Sequence, residues 1–206
     1  MMGRTHVVAG VAAALAISAA TDTLSTMPPA AYALAGFCAL LPDLDQPRSL
    51  AGRYRATKPI KLALKRFRHR RFTHSFAGIA VFTILLVGVW ALLAKLGIAL
   101  STAFILTGVT GYVSHLVADA FNKQGIQLFW PLCPFGIEWW SMPIPKPLRI
   151  STITERSGTP LTPSALQARI HTEKWFFRYP LYLLIGYLVW ANLGDLIASV
   201  TRLPFV

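Results

Sequence analysis

Two apolar runs, Phe76 to Leu96 and Tyr179 to Val200, constrain the fold more than any other feature of this chain. The first meets no charge before Lys95 and the second none before Asp195. Each supplies the ~20 residues that a helix rising ~1.5 Å per residue needs to cross ~30 Å of hydrocarbon. Between them, Ile98 to Ala118 is apolar with Thr, Ser and Gly interspersed, and then meets His115 and Asp119. The connector Leu96 to Ser101 is short, so the segments on either side of it form a helical hairpin. Val7 to Ala20 and Pro29 to Leu41 are shorter apolar stretches rich in Ala and Gly, which suits close helix contacts inside a bundle. For the first of these a secretory signal peptide is the rival reading, with Arg4, an apolar stretch and then Ser18-Ala19-Ala20. The fold expected is all-α: a polytopic transmembrane helical bundle of about five apolar segments, two of them short, forming one membrane domain over residues 1–206.

Charge gives this bundle an orientation. Charged residues make up only 14% of the chain, against the ~25% usual in soluble domains. Ten of the 20 Lys and Arg fall between Gln46 and Thr73 with no acid among them, and seven more between Asn122 and Arg178. With Arg4 these lie on one side of the membrane, leaving Lys95 and Arg202 opposite. The positive-inside rule makes the rich side cytoplasmic, with the N-terminus in and the C-terminus out. Residues 46–73 then form a basic cytoplasmic loop. Residues 122–176 form an interfacial loop region, because Pro131, Pro134, Pro143, Pro145 and Pro147 deny it a long helix. Phe129, Trp130, Phe135, Trp139 and Trp140 favour the headgroup layer. A net charge of +12 suits phosphate-bearing partners. Membrane lipids are the expected partners, with a phosphate-bearing substrate and no specific nucleic acid. Cys38 and Cys133 lie far apart without C-x-x-C spacing and read as structural.

On this topology seven histidines and aspartates fall in one layer. His6 opens the first segment, Asp43 and Asp45 close the second, His69 and His74 precede the third, and His115 and Asp119 end the fourth. Such convergence is what a metal or catalytic site built between helices requires. His115 and Asp119 are four residues apart, so an imidazole nitrogen and a carboxylate oxygen project from one helix face and can share a divalent cation. Asp43 and Asp45 follow Pro42 in a turn from which two carboxylates can converge. Blander readings stand beside these. Asp43 and Asp119 can be ion-pair partners of Arg70 or Arg71, and Asp45 can cap a turn before Pro47. His69 can be a solvated member of the basic run, and His6 an interfacial residue. His171 and Glu173 read as surface groups. A Gly-rich phosphate loop and a G-x-S-x-G elbow are both missing, which excludes P-loop nucleotidases and α/β-hydrolases.

Several motifs carry a resemblance when taken together and in order. They are Thr5-His6-x-x-x-Gly10, Leu41-Pro42-Asp43-Leu44-Asp45-Gln46-Pro47-x-Ser49, His69-Arg70-Arg71-Phe72-Thr73-His74-Ser75 and Gly111-Tyr112-x-Ser114-His115-Leu116-x-x-Asp119, then Gly125 and Trp130-Pro131. From about His6 to Pro131 the chain resembles the YdjM-like family of predicted membrane-bound metal-dependent hydrolases. The resemblance implies a bacterial inner-membrane protein with a divalent metal held by His6, Asp43, Asp45, His74, His115 and Asp119, and with His69 a further candidate. Gln46, Arg71 and Asn122 depart from a pattern that often has His, Gly and Thr at those positions. The first departure removes a potential ligand, and the second adds a charge beside the site.

Two functions follow as expectations. The first is a metal-dependent hydrolase at the cytoplasmic face, using Zn²⁺ or Mn²⁺, which mixed His/Asp ligation suits better than Ca²⁺. Asp45, His69 and Arg70 are then the catalytic candidates. Arg70 and Arg71 would bind a substrate phosphoester, with lipid headgroups the nearest supply. The ligand mix is similar to that of a secreted zinc phospholipase C. The second is a non-enzymatic membrane protein in which a metal or ion-pair cluster holds the bundle and the basic loop docks anionic lipid or a partner. A cation transporter ranks last, since only Asp195 stands away from this layer in the later segments.

Overall fold

The computed structural model describes residues 3–23, 26–46, 49–50, 58–59, 62, 71–121, 126–132 and 174–201. Most of the basic loop and of the interfacial loop region, with His69, Arg70, Cys133, His171 and Glu173, lies outside the described residues. Every regular element among the described residues is helical: α1 (Gly3–Ala20), α2 (Pro29–Cys38), α3 (Phe76–Lys95), α4 (Ala103–Ala120), α5 (Tyr179–Ala191) and α6 (Leu193–Thr201). Short 3-10 turns at Leu41–Asp45 and Phe72–His74 follow α2 and precede α3, and a π-helical turn at Lys174–Arg178 leads into α5. Three helices, α1, α3 and α4, are long and apolar enough to cross a membrane.

The core is a three-helix packing of α1, α2 and α4, with α3 laid on α4 and α5 on α1. Small residues make it possible. Ala31, Ala35 and Ala39 form a fully buried stripe at helical spacing along α2 and its C-cap. A Cβ at Gly10 of α1 would lie 2.6 Å from the Ala35 carbonyl oxygen, and one at Gly111 of α4 would collide with the same atom. The backbone of α2 is thus pinched between two glycines. Lipid is as apolar as the side chains, so association in a membrane rests on this van der Waals contact between close backbones. Bulkier packing fills the ends: Leu15, Met27 and Tyr32 at one, Tyr112, Leu116 and Ile126 at the other.

The hairpin between α3 and α4 turns at Gly97, whose φ of +84° is the left-handed conformation that glycine enters without strain. The Trp90 indole Nε1 donates to Leu100 O at 2.9 Å and ties the connector to α3.

Two segments differ from the sequence expectation. The first helix begins at Gly3 rather than Val7 and is thereby long enough to span. The run Tyr179–Val200 is two short helices rather than one spanning helix. The break has a local cause. Asn192 leaves helical geometry (φ −121°, ψ 26°) as the C-cap of α5, and its Nδ2 donates to Leu188 O at 2.9 Å beside the bond from its own backbone N (3.2 Å), fastening the cap to the last turn. Gly194 follows and offers no helix propensity to resist the break.

Candidate metal centre

One end of the bundle gathers polar groups from four segments. His6 lies in the first turn of α1, fully buried beside the equally buried Thr5. Asp43 sits in the 3-10 turn that Pro42 imposes after α2. Its carbonyl accepts from Ser49 Oγ (2.7 Å) and Gln46 N (3.1 Å), which fixes the turn. His74 closes the turn before α3. Ser75 locks that turn from both sides: its hydroxyl donates to Phe72 O (2.7 Å) and accepts from Gly78 N (3.2 Å) as the N-cap of α3. Further support comes from α4, where the Tyr112 hydroxyl donates to Thr73 O at 2.5 Å. His115 and Asp119 occupy the last two turns of α4 on the face turned to α1 and α2.

These side chains meet. Ligand atoms of Asp43, His74, His115 and Asp119 all lie within 4.8 Å of one another. His74 Nε2 is 3.1 Å from His115 Nε2, 3.5 Å from Asp119 Oδ2 and 3.7 Å from Asp43 Oδ1. His115 Nε2 is 3.7 Å from Asp43 Oδ1 and 3.8 Å from Asp119 Oδ2. His6 joins through the other Asp119 oxygen, its Nε2 3.4 Å from Oδ1, and its ring stacks on that of His115 with centroids 3.7 Å apart. Asp119 therefore faces two ways, with one oxygen toward His6 and one toward the His74–His115 pair.

Tautomers follow from the partners. His115 Nδ1 is 2.7 Å from Ala39 O, and a carbonyl only accepts, so Nδ1 carries the proton and Nε2 presents a lone pair. His74 Nδ1 is 3.0 Å from Thr73 Oγ1, a hydroxyl that can serve either tautomer. When Thr73 accepts, both Nε2 lone pairs point into the cluster, the arrangement that metal-ligating histidines adopt by donating their other N–H to a backbone or side-chain oxygen. Burial pushes the Asp43 carboxyl up, but the imidazoles around it, His115 foremost, outweigh this and hold it below its ordinary value. Asp43 thus favours its carboxylate form.

The residues fit a divalent cation. Both ring nitrogens of His6 are buried without a hydrogen-bond partner among the described residues, an expensive state for an imidazole that a metal bond would relieve. Donors ~2.0–2.2 Å from one ion stand at most ~4.4 Å apart, a few tenths less than the spread here. Imidazole nitrogen mixed with carboxylate oxygen matches borderline metals of the zinc and manganese kind. Asp43, His74, His115 and Asp119 are the residues that would hold such an ion, with His6 set against Asp119.

Other candidates from the sequence sit elsewhere or beyond view. Asp45 ends the 3-10 turn, but its side chain lies outside the described residues, as do His69 and Arg70 entirely. Arg71 is half-buried directly before the turn that carries His74. Asp43 and Asp119 stand beside imidazoles of the cluster, while Arg70, named with Arg71 in the ion-pair reading, lies outside the described residues. Sequence reasoning passed over Thr73 and Tyr112, which position His74. Their signal was only a hydroxyl next to a histidine and an aromatic four residues from Leu116.

The sequence profile of the YdjM inner membrane protein family matches residues 1–195. The chain belongs to the YdjM family. Inner membrane protein YdjM of Escherichia coli (strain K12) is 36% identical over 100 residues, covering 45% of this chain and 44% of that relative. The protein of the same name from Shigella flexneri matches to the same extent. The chain thus spans less than half the length of these curated relatives. No solved structure matches the fold. Family membership and three helices able to cross a bilayer make this a YdjM-family membrane protein whose polar cluster can hold a metal ion.

Proposed function

We propose that the protein is a metal-dependent hydrolase of the bacterial inner membrane, with Zn²⁺ or Mn²⁺ in the cluster and a phosphoester substrate drawn from lipid headgroups. The observation that carries this reading is the convergence of three imidazoles and two carboxylates at one buried point, His6 having neither nitrogen hydrogen-bonded. A divalent ion there supplies Lewis acidity and an acidified water, the minimum for hydrolysis without a Ser or Cys nucleophile. His115 and His74 orient their Nε2 atoms through Ala39 O and Thr73, and Asp43 and Asp119 offset the ion's charge. Arg71 adds a cation beside His74 to attract a phosphate. Asp45, His69 and Arg70 complete the proposed machinery.

The inner-membrane location draws on the name of the relatives, and the cytoplasmic face on loop charge. Reporter fusions after residues 60 and 160 should read cytoplasmic and one after residue 98 periplasmic. A periplasmic signal from residue 60 would move the site to the other compartment. For the chemistry, detergent-purified protein assayed against phospholipids and nucleotide phosphoesters should turn over substrate only with the metal present. His115→Ala should abolish turnover while membrane insertion persists.

Burial favours a second reading. His6, His74 and His115 are inaccessible, Asp119 is 1% exposed and Asp43, the most open member, 14%. Structural metal sites are closed in this way, whereas catalytic ones keep an open position. A metal that raises thermal stability with no turnover on any phosphoester would favour this non-enzymatic bundle, with anionic lipid or a partner on its basic loop.

A further inference from the structure

Arg178 is a buried cation that the cluster's chemistry has not used. It is 8% exposed, it ends the π-helical turn before α5, and no acidic group pairs with it among the described residues. A guanidinium has five N–H donors. Here Nη2 donates weakly to Thr5 Oγ1 at 3.4 Å, and Nε is buried with no hydrogen-bond partner among the described residues. A charge removed from water in this way needs a counter-charge.

Two contacts place Arg178 at the metal-cluster end of the bundle. Thr5 is the residue before His6 on α1. Phe177, the residue before Arg178, packs edge-on against Phe121 with centroids 5.7 Å apart, and Phe121 caps α4 two residues beyond Asp119. The same turn carries Trp175 and α5 opens on Tyr179, both exposed and in edge contact at 5.1 Å, side chains that belong at the headgroup layer of a bilayer. Charge points the same way. The carboxylates Asp43 and Asp119 balance one divalent ion, so with the ion bound neither is left over to offset Arg178.

We propose that Arg178, with the Thr5 hydroxyl, binds the oxyanion of a phosphate group beside the metal cluster. The planar fork of its unused N–H groups matches the spacing of phosphate oxygens, which a lysine cannot reproduce. The leftover-charge argument rests on the metal reading, whereas the unpartnered Nε does not. The phosphate comes from a lipid headgroup or from free phosphate, and the two sources are separable.

The test titrates detergent-purified protein by calorimetry with inorganic phosphate and, separately, with dihexanoyl phosphatidic acid, in metal-free and zinc-loaded forms. Wild-type protein should bind at least one of them, tighter with zinc. Arg178→Gln should weaken that binding at least tenfold while leaving zinc stoichiometry and ligand-free melting temperature unchanged, and Arg178→Lys and Thr5→Val should fall between. Phosphate alone binding identifies free phosphate, and the lipid alone binding identifies a headgroup. Failure of zinc to bind wild-type protein overturns the metal reading, and the metal-free titration still tests Arg178. Undiminished binding in Arg178→Gln, no binding of either probe to wild type, or a variant that loses melting temperature but not phosphate affinity overturns the proposal in favour of a purely structural clamp on α1. If Arg178→Gln does not accumulate, unaltered affinity in Arg178→Lys has the same consequence.

Discussion

Helices α3 and α4 are neighbours of similar length, joined by a tight hairpin, and both can cross a membrane, yet they carry opposite kinds of information. In α3 only Gly78 is buried, and Ile84, Leu85 and Leu92 stand well exposed on a surface with nothing polar to do. In α4 eleven residues are buried, among them Thr107, Thr110, Ser114, His115 and Asp119. The more apolar helix is the one that faces outward, because in lipid hydrophobicity reports contact with acyl chains rather than burial. The less apolar helix faces protein, where Thr107, Ser114, His115 and Asp119 each meet a partner. Function in this molecule is written where the hydropathy dips.

The contrast predicts what substitutions should do. Asp119 touches all three imidazoles, so Asp119→Ala should cost the most, roughly a thousandfold in zinc affinity. Metal binding worth ~10–16 kcal/mol over four or five ligands leaves ~2–4 kcal/mol for each, and Asp119 with its three contacts takes the upper end. A competition titration against a chelator reads this. Gly111 of α4 has the α2 backbone against it, so Gly111→Leu should destabilise the bundle by about 3 kcal/mol in detergent unfolding. Gly88 of α3 has nothing within 4 Å, and Gly88→Leu should change stability by no more than about 1 kcal/mol, toward greater stability. Equal effects at the two glycines would erase the distinction between the helices.

Tyr112→Phe removes the hydroxyl that holds Thr73 and, through it, His74. It should cost about 1 kcal/mol in stability and about tenfold in metal affinity, the scale of lost support behind a ligand. Ile84→Ala on the outer face of α3 should be the mildest, within about 0.5 kcal/mol and without effect on metal, measured by the same unfolding and titration.

Much of this was legible before any coordinates. Run length declares α3, the short connector declares the hairpin, and four-residue spacing sets His115 and Asp119 on one face. What stayed hidden depended on single residues whose role is tertiary. Asn192 looks like one polar interruption in an apolar run, and only its backbone angles, outside the helical range, show a helix ending there. Arg178 counted as one of seven cations in a basic stretch. Its position at the edge of the last apolar run, between Phe177 and Tyr179, was the available hint that it differs from a solvated charge. Ala35 is unremarkable in sequence, and its importance lies in two glycines that reach it from other helices.

Elemental analysis reads out whether His6, Asp43, His74, His115 and Asp119 form the proposed metal centre. Protein purified from membranes in mild detergent, incubated with zinc or manganese and desalted, should retain at least one ion per chain. The double variant His115→Ala/Asp119→Ala, inserted and folded by the same criteria, should retain none. Equal metal content in the two proteins, or none in either, would contradict the account.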